Sequence, residues 1–355
     1  MQNLPYSSIM GLPLFVQRIA DALTDSGILV HAIRRDMTVI LSAAGKGGHR
    51  ADFIVLDPAA RTPDEAFRDS GIISHLLRAH IRPRPAVIVR DLWERHPEMM
   101  KERMLAHCGI FTPVFARNCE VRRISRPEAD SFLEMTHSYG GAASRYCYGL
   151  FIKNIRNRNI RYGMEIPEDS PVAVAEFSNA RRWIKGDRKI RSYEWIRYAS
   201  LPGMRISGGM GKILKHFISD IAPDDIMSYA DLEWSDGSVY RQLGFSEDGF
   251  KDPVLFSIDR SDWTRTPLGR SISPACHSAT PSHCHSEPPS PCHSEPPSAC
   301  HSEPPSACHS EPPSACHSEP PSACHSERSE ESATPPISYY RNLGSIKFRL
   351  KLTDY

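Results

Sequence analysis

The chain has 355 residues, of which 40% are hydrophobic and 24% are charged, and its formal net charge is +1. This length allows two core-forming regions, and the balanced charge excludes a global attraction to nucleic acid or to an anionic membrane, although a local basic patch is compatible with it. No stretch approaches the roughly 20 apolar residues that cross a bilayer, and the N-terminus lacks a signal-peptide pattern. We therefore expect a cytoplasmic protein with no membrane partner.

The first predicted region covers residues 1–115 and has the element order α-β-β-β-α-β-α. Helical periods of apolar residues and short β-rich runs between turns define these elements. They are a helix over 12–23, strands over 28–33, 37–41 and 52–56, a helix marked by 72–77, a strand over 86–89 and a helix over 98–107. This order resembles the core of PD-(D/E)xK nucleases, and Asp91-Leu-Trp93 after the fourth strand is similar to a nuclease-like segment of certain phage proteins.

Metal-dependent phosphodiester cleavage needs clustered carboxylates for Mg²⁺ and a lysine beside the attacking water. Asp52 and Asp57 lie on or just after the third predicted strand, but no Asp/Glu-x-Lys follows on this strand or the next. We interpret Asp52 as a residue at the start of a strand, expect no metal site, and predict that this region does not cut DNA. The basic loop Lys46–Arg50 either contacts phosphate or is simply solvated.

The second predicted region covers residues 116–262. It opens with a strand over Cys119–Ile124, and Ser125 to Glu128 form a capping box at the start of a helix. His137 ends that helix, where it either faces an active site or only complements the helix dipole. Strands follow over 146–152 and 172–178. The basic segment Arg181–Arg191 is predicted as a loop that either binds nucleic acid or an acidic substrate, or is a solvated hairpin.

A glycine cluster runs directly into an amphipathic helix within the segment Arg205–Ile221, between a strand over 193–199 and another that begins at Ile226. One helical face carries Met210, Ile213, Leu214, Phe217, Ile218 and Ile221. Gly208, Gly209 and Gly211 fall in the first turn. There they either are plain turn residues or let a diphosphate approach free backbone N–H groups at the positive end of the helix dipole.

A short helix ending in YRQLGF follows the next strand, and the whole series from residue 119 to 259 resembles the coenzyme-A-binding half of the GNAT acetyltransferase superfamily. The segment from Arg205 to Gly211 fits the superfamily's Q/R-x-x-G-x-G/A turn with one residue inserted. The segments GGMGKILKHF and SYADLEWSDGSVYRQLGF also resemble phage and bacterial proteins in which an acetyltransferase-like segment follows a nuclease-like one. The expected fold is α+β, with a nuclease-like domain followed by a GNAT-like mixed sheet flanked by helices.

The resemblance implies an N-acyltransferase of unknown acceptor, with acetyl-CoA or another acyl-CoA as co-substrate and no metal. It assigns coenzyme binding to Arg205, Gly208, Gly209, Gly211 and Lys212. Tyr240 matches the superfamily's general acid, although a buried structural tyrosine fits equally. Glu194 is the candidate base, unless it forms an ion pair with Arg197 or Arg181, and Asp231 is the second candidate. The alternative function is a nucleic-acid-associated protein that binds through Lys46–Arg50 and Arg181–Arg191.

Residues 263–355 are predicted to be a disordered tail. Cysteine recurs every eight residues from Cys276 to Cys324 in CHSEPPSA-like units, which carry two prolines and no large apolar side chain. The CHSERSEES ending resembles translated intergenic DNA repeats. We expect a chain that ends near Arg270 to keep its thermal midpoint, and Tyr339–Tyr355 to add one strand or nothing. The other three cysteines, Cys108, Cys119 and Cys147, are predicted to be reduced thiols.

Overall fold

A computed structural model describes residues 11–35, 38–79, 84–153, 166–268 and 336–355, which belong to one compact α+β unit. Its helices are α1 (Leu14–Thr24), α2 (Pro63–Ala79), α3 (Arg90–Arg95), α4 (Pro97–His107), α5 (Arg126–Thr136), α6 (Gly209–Ile221) and α7 (Ser238–Gln242). Its strands are β1 (Leu29–Arg35), β2 (Thr38–Ala44), β3 (Arg50–Leu56), β4 (Ala86–Val89), β5 (Thr112–Phe115), β6 (Cys119–Ile124), β7 (Tyr146–Ile152), β8 (Ala173–Phe177), β9 (Arg181–Lys185), β10 (Arg188–Ser200), β11 (Met204–Ser207), β12 (Asp225–Asp231), β13 (Ser246–Lys251), β14 (Leu255–Asp259), β15 (Arg265–Pro267), β16 (Ile337–Arg341) and β17 (Ser345–Lys351).

The N-terminal part forms a four-stranded sheet in the order β1-β2-β3-β4, in which only β3 and β4 are parallel. The predicted order of elements is confirmed, with α3 as an additional short helix before α4. Apolar residues of α1 and α4 cover one face of this sheet, because the helical period places Phe15, Ile19 and Leu105 on the side facing it. The other face packs against α2 and against β14 and β16 from the far end of the chain.

The carboxylates at the ends of β3 and β4 are held by arginines. Asp57 accepts a hydrogen bond from Arg90 at 2.8 Å, and Asp91 forms a two-bonded pair with Arg265 at 2.6 and 2.8 Å, with both side chains buried. A buried pair of this kind costs several kcal/mol to break, because one charge would be left without a partner. Among the described residues no group of three His, Cys, Asp or Glu is placed to hold a metal ion. The expected lack of DNA cleavage stays a prediction.

The second sheet has eight strands in the order β13-β17-β12-β10-β8-β7-β6, with β9 paired to β10. The predicted helix cap is confirmed, since the Ser125 hydroxyl accepts a hydrogen bond from the Glu128 N–H at 3.3 Å. The predicted amphipathic helix is also confirmed as α6, whose Phe217 ring stacks on Phe177 with 3.9 Å between ring centroids. Cys108, Cys119 and Cys147 are buried free thiols. Within the described part of the chain, no helix is long and apolar enough to cross a membrane.

The basic segment Arg181–Arg191 is a β-hairpin, which was one of the two interpretations of this predicted basic loop. Its two strands, β9 and the first part of β10, pair from Arg181↔Ser192 to Lys185↔Arg188 and turn at Gly186, which has a φ of 59°. Every residue of β9 is exposed, so the alternation of buried and exposed residues that predicts a strand is missing here. Backbone pairing with β10, instead of a buried face, holds the segment extended.

Part of the predicted tail belongs to the folded unit. β16 pairs with β14, and β17 lies between β12 and β13 in the interior of the second sheet. Tyr340 and Phe348 are fully buried. The expectation of a disordered tail over 263–355 is therefore wrong for β15, β16 and β17, and a chain ending near Arg270 would lack two of these strands. The repeat itself lies within residues 269–335, outside the described residues.

Candidate active site

A gap opens in the second sheet where its two parallel strands separate. β10 and β12 pair only from Ser192↔Asp225 to Glu194↔Met227. Beyond Glu194, β10 stays paired with β8 and β12 stays paired with β17, so each strand follows its other neighbour. The β10 pairing also shifts register between Trp195 and Arg197, and a bulge of this kind bends a strand. The separated ends leave room for a cavity.

That cavity has a volume of about 450 Å³, which is within the range of small-molecule sites. Its walls come from the ends of β10 and β12, from α7, from the residues after α5, from α4, and from the turn before β17. It brings together Glu194, Asp231 and Tyr240, the three side chains that the sequence predicted for acid and base chemistry. We call it the main cavity.

Tyr240 is held at the point where the two strands part. Its hydroxyl is hydrogen-bonded at 2.9 Å to the Ser228 hydroxyl, which in turn donates to the Trp195 carbonyl at 2.9 Å. Its ring stacks on Phe348 of β17. Burial raises the pKa of the Tyr240 phenol, so it keeps its proton at neutral pH. The group is chemically able to give a proton to an atom in the gap.

The two predicted bases differ in their surroundings. Glu194 lies 3.8 Å from Arg181, which is one of the two arginines predicted to form an ion pair with it. Arg197, the other one, donates instead to the Gly140 carbonyl at 3.2 Å. Asp231 accepts a hydrogen bond from the Glu233 N–H at 2.9 Å, and burial raises its pKa. A carboxylate with a raised pKa is a stronger base near neutral pH, which favours Asp231 over Glu194.

The segment from Gly208 to Gly211, which we call the glycine turn, adjoins the main cavity, because Met210 lines that cavity. Gly208 precedes α6 with a φ of 78°, a left-handed conformation that glycine adopts readily. None of the described residues accepts a backbone hydrogen bond from the N–H groups of Gly209, Met210 and Gly211, as expected for the first turn of a helix. These donors remain available to an anion.

Three of the predicted coenzyme-binding residues have other contacts as well. The Lys212 ammonium donates to the carbonyls of Ala116 and Cys119, at 2.8 and 2.5 Å. Because these hydrogen bonds occupy it, Lys212 would attract an anion through its charge rather than through a direct hydrogen bond. Arg205 is exposed, with its guanidinium over the Phe111 ring. A Cβ atom at Gly209 would lie 2.6 Å from the Tyr198 hydroxyl, so tight packing alone requires glycine there.

Two more groups belong to this site: Arg103, to which no sequence pattern pointed, and His137, for which an active-site position was one of two expectations. Arg103 of α4 lines the main cavity, with its guanidinium 3.7 Å above the Trp234 ring. His137 also lines it, and its Nδ1 accepts a hydrogen bond from the Tyr139 N–H at 3.1 Å. Burial lowers the pKa of His137 to about 3, so the ring is neutral and does not complement the helix dipole as a cation. Arg103 and Trp234 come from the two different predicted regions, which no local pattern could connect.

Glu233, two residues after Asp231, is buried beside this site. The Tyr340 hydroxyl donates to its Oε1 at 2.7 Å, while its Oε2 has no hydrogen-bond partner in the described part of the chain. Burial, and then the nearby Asp231 charge, raise the pKa of the Glu233 carboxyl above its ordinary value of 4.5. The folded protein therefore holds a proton here that the unfolded chain releases.

We expect the unfolding free energy to fall as the pH rises from about 4.5 to the raised pKa of Glu233, about 8. Between these two pH values only the folded state binds the Glu233 proton. Glu233→Gln mimics the protonated carboxyl and should remove this contribution, so the variant gains stability relative to the wild type as the pH rises. Urea unfolding of both proteins from pH 5 to 9 measures the difference. Glu98→Gln, on an exposed part of α4, is the control. Parallel pH profiles for wild type and Glu233→Gln would contradict the assignment.

Comparisons with known proteins do not assign this chain to a family. No protein-family model matches the chain, and no curated protein matches it. A solved structure of a conserved protein of unknown function from Enterococcus faecalis V583, described as a probable N-acyltransferase, is similar over 41% of this chain. The chain spans only 36% of that protein, with 15% identity and a TM-score of 0.28. A likeness of this extent carries no argument about fold or function.

Proposed function

We propose that this protein is an N-acyltransferase that takes its acyl group from a coenzyme A thioester, with acetyl-CoA as the first candidate. The observation that carries the proposal is the gap between β10 and β12, where a proton donor, two carboxylates and the start of α6 surround one cavity. This arrangement supports the GNAT-like interpretation of the sequence.

The proposed coenzyme site is the glycine turn. The free N–H groups of Gly209, Met210 and Gly211 would receive the diphosphate, with the helix dipole and the Lys212 charge adding attraction. The thioester would then extend past Met210 into the gap, where the backbone of the separated strands is within its reach. Arg205 is exposed, and it would contact the part of the coenzyme that lies outside the gap.

The proposed reaction needs two proton transfers. The amine nitrogen forms a bond to the thioester carbonyl carbon, and its proton passes to Asp231 or, through water, to Glu194. The carbon–sulfur bond then breaks, its electron pair goes to sulfur, and the Tyr240 hydroxyl protonates the thiolate. The products are an N-acylated amine and free coenzyme A. Holding the two reactants in one cavity would supply much of the rate enhancement.

A charge placed in the glycine turn tests the coenzyme site without disturbing the helix. In Gly211→Asp a carboxylate at the start of α6 interacts favourably with the helix dipole but repels a diphosphate. We expect calorimetry to show saturable binding of acetyl-CoA to the wild type and at least about tenfold weaker binding to Gly211→Asp, which corresponds to ~1.4 kcal/mol.

Gly211→Asn is the matched control, because it adds a side chain of the same size without the charge. A Cβ at position 211 would lie 3.2 Å from the flexible end of Leu243, and both variants share this contact. Gly211→Asn should therefore bind acetyl-CoA more tightly than Gly211→Asp. If the wild type does not bind acetyl-CoA, the proposed function fails. If the aspartate and asparagine variants bind equally, the proposed diphosphate site fails.

Nucleic-acid association is the second candidate function, and the β9–β10 hairpin is the feature that favours it. The hairpin exposes Trp183 and Ile184 among six basic side chains. Four of these six side chains already have partners: Arg181 lies 3.8 Å from Glu194, Lys185 donates to the Tyr355 carbonyl, and Arg188 and Arg191 lie against Asp224. For the Lys46–Arg50 segment, the described backbone forms a tight turn from Lys46 to Gly48 that leads into β3. The acyltransferase proposal has the stronger support.

A further inference from the structure

Arg103 is the feature of the main cavity that the proposed function does not use. It lies on α4, in the N-terminal part of the chain, yet it lines a cavity built mainly from the second sheet. It also lines a smaller neighbouring cavity of about 250 Å³, and His137 and Tyr198 are shared between the two in the same way. Arg103 thus stands where the two cavities meet.

The guanidinium of Arg103 is a cation without a hydrogen-bond acceptor among the described residues. Its guanidinium carbon lies over the face of the Trp234 ring, 3.7 Å from the ring centroid. Stacking of this kind fixes the plane of the group and leaves the N–H donors at its edge free. Burial lowers the pKa of Arg103 to about 10, so it stays charged at neutral pH although it is poorly hydrated. Such a group is an anion receptor.

The main cavity also carries the opposite charge. Asp231 and Glu194 line it, and Asp231 lies close enough to Arg103 for their charges to interact. A molecule with an anionic group at Arg103 would therefore have its remaining part directed along the carboxylates. Because an ammonium group is attracted to those carboxylates, one cavity suits both ends of a zwitterion.

The nearby acidic groups also limit the charge of the anion. Asp231 lies close enough to Arg103 to interact with its charge. A doubly charged phosphate would be repelled by the Asp231 carboxylate more strongly than a singly charged carboxylate, and the planar guanidinium pairs with a carboxylate through two parallel hydrogen bonds. Both considerations favour a carboxylate.

We propose that the acyl acceptor is an amine that carries a carboxylate, as an α-amino acid does, with the carboxylate bound by Arg103 and the amine directed to Asp231. This inference rests on the proposed function for the chemistry, but the binding of such a ligand can be tested without the coenzyme. It makes the N-terminal part of the chain a contributor to the acceptor site.

The experiment measures ligand binding to the full chain by saturation-transfer NMR and titration. The probes are the twenty common amino acids, the α-carboxamide of each one that binds, and O-phosphoethanolamine as a phosphate-bearing amine. We expect at least one amino acid to bind, and its carboxamide to bind at least about tenfold more weakly, since a charge-assisted pair is lost. This comparison uses the wild type alone and does not depend on the folding of any variant.

Variants at Arg103 then locate the anion site. Arg103→Gln should bind the amino acid no better than its carboxamide, while Arg103→Lys should retain part of the preference because it keeps the charge. Arg117→Gln is the matched control, since Arg117 also lies over an aromatic ring, that of Phe115, but outside the cavities. It should bind as the wild type does. Circular dichroism checks the fold of each variant.

Several results would overturn the inference. They are the absence of binding by every amino acid at millimolar concentration, equal binding of acid and carboxamide, tighter binding of O-phosphoethanolamine, and an unchanged preference in folded Arg103→Gln. Adding acetyl-CoA separates the two proposals. Arg103-dependent binding of an amino acid to a protein that does not bind acetyl-CoA would refute the acyltransferase but support the ligand class. Binding of acetyl-CoA without a preference for carboxylates would do the reverse.

Discussion

A chain that ends at Arg270 should fail to fold cooperatively. Such a chain lacks β16 and β17, and with them four largely buried side chains, Tyr340, Leu343, Ile346 and Phe348. Each contributes roughly 1.5–3 kcal/mol by burial, so together they approach the whole stability of a typical domain, about 5–15 kcal/mol. The loss of β17 also leaves β12 and β13 without the strand that joins them. Thermal unfolding followed by near- and far-ultraviolet circular dichroism measures the effect.

Removing the repeat while keeping β16 and β17 is the matched control. The Leu268 N–H bonds to the Leu255 carbonyl and the Arg260 N–H bonds to the Pro336 carbonyl, so the two ends of the segment lie at opposite ends of β14. The strand rise and strand spacing give a separation of about 19 Å, which about twelve Gly/Ser residues span. Replacing residues 271–333 by this linker should preserve the thermal midpoint. Cooperative unfolding of the truncated chain within a few degrees of the full chain would refute the first expectation.

Tyr240→Phe should lower turnover by about 10²- to 10⁴-fold while leaving the affinity for acetyl-CoA unchanged, if the proposed reaction is correct. The substitution removes only the hydroxyl. The ring keeps its stacking on Phe348, and Ser228 keeps its hydrogen bond to the Trp195 carbonyl, so the gap between the strands should persist. The measurement is acyl transfer by release of free thiol, with calorimetry for binding.

Tyr146→Phe serves as the control for Tyr240→Phe, because Tyr146 is a partly buried tyrosine of the same sheet that does not line the main cavity. Its turnover should equal that of the wild type. Ser228→Ala should give an intermediate loss, since it removes the one hydrogen-bond partner that the Tyr240 hydroxyl has among the described residues. Full turnover in Tyr240→Phe would show that the hydroxyl has a structural role alone.

Elements set by local sequence could be predicted closely. The period of apolar residues after the glycine cluster predicted α6, and the cap of α5 followed from Ser125 and Glu128, because helix periodicity and capping act within a few residues. The order of elements in the N-terminal part was predictable for the same reason. The position of β17 was not. Its alternating sequence is that of a strand, but its partner β12 lies on the other side of the repeat, and nothing local identifies it.

The residues of the candidate site also fall into those that the sequence could predict and those that it could not. Glu194, Asp231 and Tyr240 could be proposed because they lie on or near motifs, and the fold brings them to one cavity. Arg103 could not, because an arginine on an amphipathic helix is ordinarily solvated, and its surroundings depend on Trp234 from distant sequence. The tight packing at Gly209 was equally hidden. Its contact with Tyr198 depends on how β10 bends after the bulge.

The interior position of β17 also has a consequence for synthesis on the ribosome. β12 is complete once Asp231 has been made, whereas its partner is complete only at Lys351. At about 5–20 residues per second the nascent chain carries an open β12 edge for roughly 6 to 24 s. During this interval the edge can pair with other unfinished chains, because unpaired strand edges are templates for aggregation. Stalled or prematurely terminated products should accordingly be the aggregating species, and chaperones that shield β-strand edges should raise the yield of folded protein.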